Sequence, residues 1–335
     1  MGIDQHGRKI DYLRISITDR CNLRCLYCMP EEGVPWKPHD AMLTLEEIRY
    51  FVRIAAGEGF SRIRLTGGEP LVRLGVVDLI GEIARTPGVE RVAITTNGIL
   101  LPKFAIQLKE AGLNRVNISL DTLDPEQYRH ITRWGNINDV FSGIDAALEV
   151  GFSPVKVNAV VVRSLHQDLL AFARLSYGRP LHMRFIEYMP VGDPQGEDGL
   201  GWSKKDTIPI EELIELIDEQ AEAAGLGRLI PLSEASKPEG WGPARYYQFE
   251  GAQGTVGFIS ALSRHFCGEC NRLRMTADGK LRPCLFSDLE YDMRAAIRSK
   301  DDEGIRNILH EALKAKPDEH HYKVGTERLM SQIGG

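Results

Sequence analysis

Apolar positions in the first 190 residues follow two alternating rhythms. Short runs rich in aliphatic and β-branched residues, at 13–18, 62–66, 91–95, 115–120, 155–162 and 183–187, have the length and make-up of strands. Longer amphipathic segments lie between and after them, at 44–57, 76–85, 103–111, 125–132, 140–150 and 169–176, and predict helices. The punctuation agrees. Thr44 followed by Glu47 is a capping box, and Asp124 before Pro125 is an N-cap with its first turn. Gly112 and Gly151 stand where helices should end. Six strand–helix units predict an α/β fold with a parallel sheet, whose ligands gather at the C-terminal strand ends. Eight units would close a barrel, so six leave it incomplete.

Beyond about residue 193 the rhythm changes. Residues 192–205 are rich in Gly and Asp and loop-like. A helical segment at 210–224, a turn-rich run at 231–243 and β-type segments at 245–249 and 255–260 follow. The expected architecture is an incomplete (βα)6 TIM-type barrel over residues 1–192, with a C-terminal layer over 193–335. No repeat at solenoid spacing and no low-complexity tract interrupts it.

Composition narrows the class without deciding it. A hydrophobic share of 43% over 335 residues is enough for a sizeable core. The net charge of -6 argues against a general nucleic-acid binder but leaves room for a local basic pocket. No apolar run approaches the ~18 residues of a membrane span. The first eleven residues are polar and of mixed charge, unlike a signal peptide. A cytoplasmic chain is expected, where clustered thiols favour metal ligation over disulfides.

The chain's six cysteines fall into two triads. Cys21, Cys25 and Cys28 are spaced C-x3-C-x2-C directly after the first strand. Cys267, Cys270 and Cys284 are spaced C-x2-C-x13-C in the C-terminal region. Each set is one thiol short of a closed four-ligand site, and an open coordination position is where chemistry happens. Two readings compete. Either triad could hold a zinc ion with a borrowed fourth ligand, His265 for the second. Alternatively, each holds three corners of a four-iron four-sulfur cube.

Polar groups cluster at the strand ends. Gly67-Gly68-Glu69-Pro70 ends the second strand, Thr95-Thr96-Asn97-Gly98 the third, and Asn117 to Asp121 the fourth. Each suits a polar ligand in a barrel mouth, and each also suits a βα turn or helix cap. Arg14, Arg64 and Lys156 lie inside predicted strands. They either face outward to helices or converge inward as an anion pocket. Arg272 and Arg274 share one face of a period-two segment, good geometry for a phosphate or a base edge.

The first triad, with Tyr27 before its last cysteine, resembles that of the radical S-adenosylmethionine superfamily. The run DRCNLRCLYCMP at 19–30, the GGEP and TTNG sites, residues 184–192 and the run 266–285 together resemble one family within it, the molybdenum cofactor biosynthesis GTP 3',8-cyclases. This resemblance covers the chain from about Tyr12 onward. It implies two 4Fe-4S clusters, on Cys21, Cys25, Cys28 and on Cys267, Cys270, Cys284. It also implies S-adenosyl-L-methionine as cofactor and GTP as substrate. A 5'-deoxyadenosyl radical would abstract the ribose 3'-hydrogen, and C3' would then bond to guanine C8. Tyr27, Gly68, Ser119 and Met189 match the family's cofactor contacts. Arg14, Arg64, Thr95, Lys156, Arg272, Leu273 and Arg274 match its GTP contacts. Guanine would take the open iron of the second cluster.

The family further implies a Gly-Gly tail, here Gly334-Gly335, reaching into the active site. It suggests an electron donor such as flavodoxin, cyclic pyranopterin monophosphate synthase as the next enzyme, and a possible homodimer. The remaining alternatives are a two-cluster radical enzyme that matures a peptide, and a zinc-binding structural protein.

Overall fold

The computed structural model of the chain describes residues 2–35, 37–189, 191, 204–320 and 328–334. Six parallel strands, β1 (Tyr12–Ser16), β2 (Arg62–Thr66), β3 (Arg91–Thr96), β4 (Arg115–Ser119), β5 (Val155–Val161) and β6 (Leu181–Glu187), run side by side in chain order. Their crossovers are α1 (Leu45–Gly57), α2 (Val76–Ala84), α3 (Leu101–Glu110), the pair α4 (Pro125–Thr132) and α5 (Ile137–Glu149), and α6 (Leu169–Arg174). The expected caps are present. Thr44 and Glu47 exchange hydrogen bonds with each other's backbone at 3.1 and 2.9 Å. Asp124 accepts the Gln127 amide at 2.6 Å. Gly112 and Gly151 take positive φ just past α3 and α5. Helix α5 begins three residues before the apolar pattern suggests, because Asn136 caps it through the Asn138 amide.

The C-terminal region also holds α7 (Ile210–Ala223), β7 (Ile230–Pro231), β8 (Arg245–Gln248), β9 (Thr255–Ile259), β10 (Arg272–Met275), β11 (Lys280–Arg282), β12 (Tyr291–Asp292), α8 (Arg294–Arg298), α9 (Asp302–Lys314) and α10 (Met330–Ile333). Its strands do not stack on the barrel as a layer. They extend the same sheet at both edges, in the order β12-β11-β10-β1-β2-β3-β4-β5-β6-β9-β8-β7. Strand β10 lies parallel to β1, and β9 parallel to β6. Eight parallel strands therefore line up side by side, although the chain has only six βα units. The expected boundary at residue 192 and most of the 192–205 loop lie outside the described residues.

Period-two alternation divides the sheet into two chemistries. Leu13, Ile15, Ile63, Leu65, Val116, Ile118, Val155 and Val157 are fully buried in the apolar core with Ile48, Phe51 and Val52 of α1. Residues in the opposite phase, among them Arg14, Arg64, Asn117, Ser119, Lys156 and Asn158, line a cavity.

Candidate active site

The strand register assembles the cavity wall. Arg14 on β1 pairs with Arg64 on β2 and Arg274 on β10. Asn117 on β4 lies between Thr95 and Lys156, and Asn158 on β5 lies between Ser119 and Arg184. All of these line one cavity, together with Tyr27, Met189 and Arg272. The inward reading of Arg14, Arg64 and Lys156 is the one the fold adopts.

So many cations in one buried space disturb each other. Burial, with Arg184, Arg115 and Arg64 nearby, brings the Lys156 amine from its ordinary 10.5 down to about 6. Burial also brings Arg14 down to about 10, with Arg64, Arg272 and Arg184 adding to the effect. Burial alone would push the Tyr12 phenol up, yet the guanidinium groups of Arg64, Arg14 and Arg272 outweigh it and bring Tyr12 down to about 8. The turn-rich run supplies part of the compensation. Glu239 pairs with Arg115, and with Arg91 at 3.3 Å, while its carbonyl accepts from Lys156 Nζ at 2.8 Å. The Trp241 ring lies 4.4 Å from the Arg115 guanidinium carbon, and its centroid is 5.6 Å from that of Tyr12. A surplus of positive charge with few carboxylates is an anion site.

The first triad follows β1. Leu23 N–H donates to Cys21 Sγ at 3.4 Å, and the 24–28 turn leans on α4 through Leu26 N to Ile131 O at 2.9 Å. Burial pushes the Cys21 thiol up to about 11 and Cys28 up to about 12, and Cys25 rises as well. Such thiols are inert until a metal displaces their protons. Tyr27 donates to Asp121 Oδ2 at 2.6 Å, and Asp121 Oδ1 accepts Val160 N–H at 2.9 Å. Beside them, Glu69 is fully buried and accepts from Thr96 Oγ1 at 2.8 Å, Asn97 N at 2.7 Å and Leu71 N at 2.9 Å. Burial raises this carboxyl to about 7 against those bonds.

The second triad lies at the other end of the same strands. Cys267 and Cys270 precede β10, and Cys284 follows β11, which is antiparallel to it. Cys21 instead comes after β1, which is parallel to β10. The two triads thus face the cavity region from opposite strand ends. Cys267, Cys270 and Cys284 line the cavity directly, whereas the first three thiols do not. The described part of the tail packs against the cavity wall: Met330 lines the cavity, Arg274 Nη1 donates to Gly334 O at 2.6 Å, and Ser331 and Ile333 are buried. Gly335 lies outside the described residues.

Three expectations change in detail. Leu273 pairs with Leu13 and is fully buried in the core, so its side chain does not reach the cavity. Gly68 does not line the cavity; a Cβ there would come within 2.3 Å of Arg20 O, so its glycine serves the packing of the 18–20 loop. His265 pairs with Glu319 at 3.2 Å, outside the cavity lining. The lining residues Tyr12, Arg115, Asn158, Arg184, Trp241, Lys316 and His320 were not among the expected site residues. Strand phase would have found the first four. Nothing local marks Trp241, Lys316 or His320.

The donor chemistry fits the implied groups. All six thiols are free, and among the described residues no three His, Cys, Asp or Glu side chains are placed to hold a single metal ion. Two sets of three thiols suit iron–sulfur clusters with one open position each.

The comparisons agree with this chemistry. Residues 15–175 match the model of the radical SAM superfamily, and residues 181–322 that of Molybdenum Cofactor Synthesis C. The fold resembles Streptococcus suis SuiB bound to S-adenosylmethionine, with a TM-score of 0.58 and 13% identity over 93% of this chain and 67% of that one. It also resembles native anSMEcpe with bound AdoMet, with a TM-score of 0.55 and 16% identity over 93% of this chain and 82% of that one. Residues 15–175 therefore form a radical SAM domain.

Within that superfamily the relatives are much nearer. A GTP 3',8-cyclase of Pelotomaculum thermopropionicum is 50% identical over 99% of both chains, and one of Moorella thermoacetica is 51% identical over 99% of both. The chain belongs to this cyclase family.

Proposed function

We infer that this protein is a GTP 3',8-cyclase of molybdenum cofactor biosynthesis, converting GTP to (8S)-3',8-cyclo-7,8-dihydroguanosine 5'-triphosphate. One observation supports the reading beyond kinship: a cavity with a cation-rich wall is lined by the second thiol triad, and the first triad follows the opposite ends of the same strands. When bound, the first cluster and S-adenosyl-L-methionine would supply a 5'-deoxyadenosyl radical to remove the ribose 3'-hydrogen; C3' would then bond to C8, and the resulting nucleotide radical would take one electron from the electron donor and one proton to give the dihydro product.

The chain's own residues orient and shield. Cys21, Cys25 and Cys28 would hold the first cluster; Cys267, Cys270 and Cys284 would hold the second and leave a position for guanine. Tyr27, fixed by Asp121, and Ser119 and Met189 would seat the cofactor, with the 67–69 turn braced by Glu69. Arg14, Arg64, Lys156 and Arg274 would neutralise the triphosphate, with Arg272 and Thr95 beside them. Arg115 and Arg184 add to the same field. Trp241 closes the cavity at the strands' N-terminal end, where it packs on Arg115 and Tyr12. A triphosphate held there would leave the ribose between the two triads.

No helix among the described residues is long and apolar enough to cross a membrane, and we propose a cytoplasmic enzyme. It would draw electrons from a small carrier such as flavodoxin and pass its product to cyclic pyranopterin monophosphate synthase. Anaerobic incubation with S-adenosylmethionine, GTP and a strong reductant tests the assignment. Stoichiometric 5'-deoxyadenosine and cyclised nucleotide are expected. GTP-dependent 5'-deoxyadenosine without the cyclised product would overturn it.

A further inference from the structure

Lys316 follows α9 by two residues and is 3% exposed. Its Nζ donates to Arg272 O and to Pro283 O, both at 2.9 Å. Arg272 stands two residues after Cys270, and Pro283 immediately precedes Cys284. One ammonium therefore joins the backbone beside two of the three thiols. The third is held from the N-terminal segment. Arg8 donates to Cys267 O at 2.6 Å, Pro317 O at 2.6 Å and Asp318 O at 2.9 Å, and Asp4 fixes its guanidinium at 2.6 Å. Arg8 thus ties Cys267 to the segment that carries Lys316.

The two cations differ in one respect. Arg8 has its carboxylate in Asp4. Lys316 has no carboxylate partner among the described residues: its acceptors are two carbonyls and the Cys270 sulfur, with the Cys284 sulfur and the Arg272 guanidinium close by. A buried ammonium whose partners are carbonyls and thiols is costly unless those thiols become anions. Three thiolates are what metal binding creates here.

We propose that Lys316, seated by Arg8, is the fixed positive counter-charge of the second iron–sulfur site. It holds the triad closed and makes the cluster easier to reduce, since cluster potential follows net charge and the groups around the sulfurs. Lys316 is a positioning residue that acts through the thiolates. The inference rests on the reading that this triad holds a cluster.

The test uses the full chain with Cys21, Cys25 and Cys28 replaced by alanine, so that only the second cluster is present. Iron content, the rate of iron loss to a chelator and the midpoint potential by electron paramagnetic resonance are measured without GTP. Lys316→Gln keeps donors but loses charge, and its potential should move negative while Lys316→Arg stays near the parent. Failure of the Gln form to take up iron, with normal uptake by the Arg form, would equally support the counter-charge. Arg8→Gln should lose iron several-fold faster with a smaller change in potential. Equal potentials in Lys316→Gln, Lys316→Arg and parent would overturn the counter-charge. Parent-like iron retention in Arg8→Gln would overturn the seat. A parent that binds zinc and no iron at this triad would refute the cluster assignment instead.

Discussion

Lys156 should take up a proton when a triphosphate enters the cavity. Its amine falls from an ordinary 10.5 to about 6, through burial first and then the Arg184, Arg115 and Arg64 charges. At about 1.4 kcal/mol per tenfold, this disfavours the ammonium by roughly 6 kcal/mol. In the free enzyme near pH 7.5 the amine is therefore mostly neutral, donating to Glu239 O. A polyphosphate beside it reverses the sign of the local field and favours the charged form. Binding then consumes a proton at any pH between the free and bound values, so affinity falls as pH rises, by at most tenfold per pH unit. Between pH 7 and pH 8.5 the expected weakening is up to about 30-fold, in a range above the terminal phosphate's own titration near 6. Anaerobic calorimetry of GTP binding to cluster-loaded enzyme, in two buffers of different ionisation heat, reads the uptake directly. Near one proton is expected at pH 7.5, and close to none for Lys156→Met. Wild-type enzyme that takes up no proton, or a Met variant that takes up as many, would refute the reasoning. The same group sets a folding signature of known sign. The unfolded lysine stays protonated up to 10.5, so folding releases its proton from about pH 6 upward, and stability should rise with pH across that window. Lys156→Met should flatten this rise in urea titrations at pH 6.5 and 9.

Other sites give sharper single readouts. A Cβ on Gly334 would lie 2.3 Å from Thr66 Oγ1 at a φ of +69, so Gly334→Ala should displace the tail from Arg274. Turnover should fall at least tenfold while iron content is unchanged. Trp241→Ala removes the ring packed on Arg115 at 4.4 Å, and at about 1–2 kcal/mol for a desolvated pair should raise KM for GTP roughly tenfold, with Trp241→Phe in between. Glu69→Gln points an amide N–H at groups that are all donors, and should cost about 1–3 kcal/mol in chemical denaturation. Arg282, 1% exposed, pairs with Glu290 just ahead of Cys284. Arg282→Met removes that pair and the bond to Ser287 O, but Arg328 still holds Glu290 at 2.6 Å, so the cost should be about 1–3 kcal/mol in chemical denaturation.

What could be read from the sequence was whatever repeats locally. Strands β1 to β6, their helices and the Thr44 and Asp124 caps follow from periodicity and short-range hydrogen bonding, and each lies within a few residues of its expected place. The thiol triads and the inward cations are likewise local, since spacing and strand phase depend only on neighbours in the chain. Arg184 obeys the same rule as Arg64 and could have been found by it. Trp241 and Lys316 could not. Trp241 lies in a turn-rich run and gains its place only because β8 and β9 join the far edge of the sheet. Lys316 follows an ordinary amphipathic helix and matters only because β10 pairs with β1 from across the whole chain. Leu273 shows the limit of a residue-by-residue resemblance: it is named as a contact, and since the phase of β10 turns its side chain into the core, only its backbone is left to meet a ligand.

That β10–β1 pairing also fixes the spacing of the chemistry. Register couples Tyr12 to Arg272 and Ile15 to Met275 in parallel, so Cys270 precedes the pair and Cys21 follows it. Strands of this length rise about 3.3 Å per residue, which puts roughly 15 Å of backbone between the two triads. On the proposed function, a nucleoside triphosphate would lie in that interval with its base toward the second triad and its sugar toward the first. An antiparallel β10 would bring both triads to the same end and leave the cation wall facing neither. A parallel β10 slipped by two residues would keep the same side chains inward but move the second triad by about 7 Å relative to Arg14 and Arg64. On that reading the regiochemistry of joining C3' to C8 would depend on a strand pairing between residues more than 250 positions apart in the chain. It is held by the apolar contacts of Leu13 with Leu273 and Ile15 with Met275 on the face turned away from the substrate.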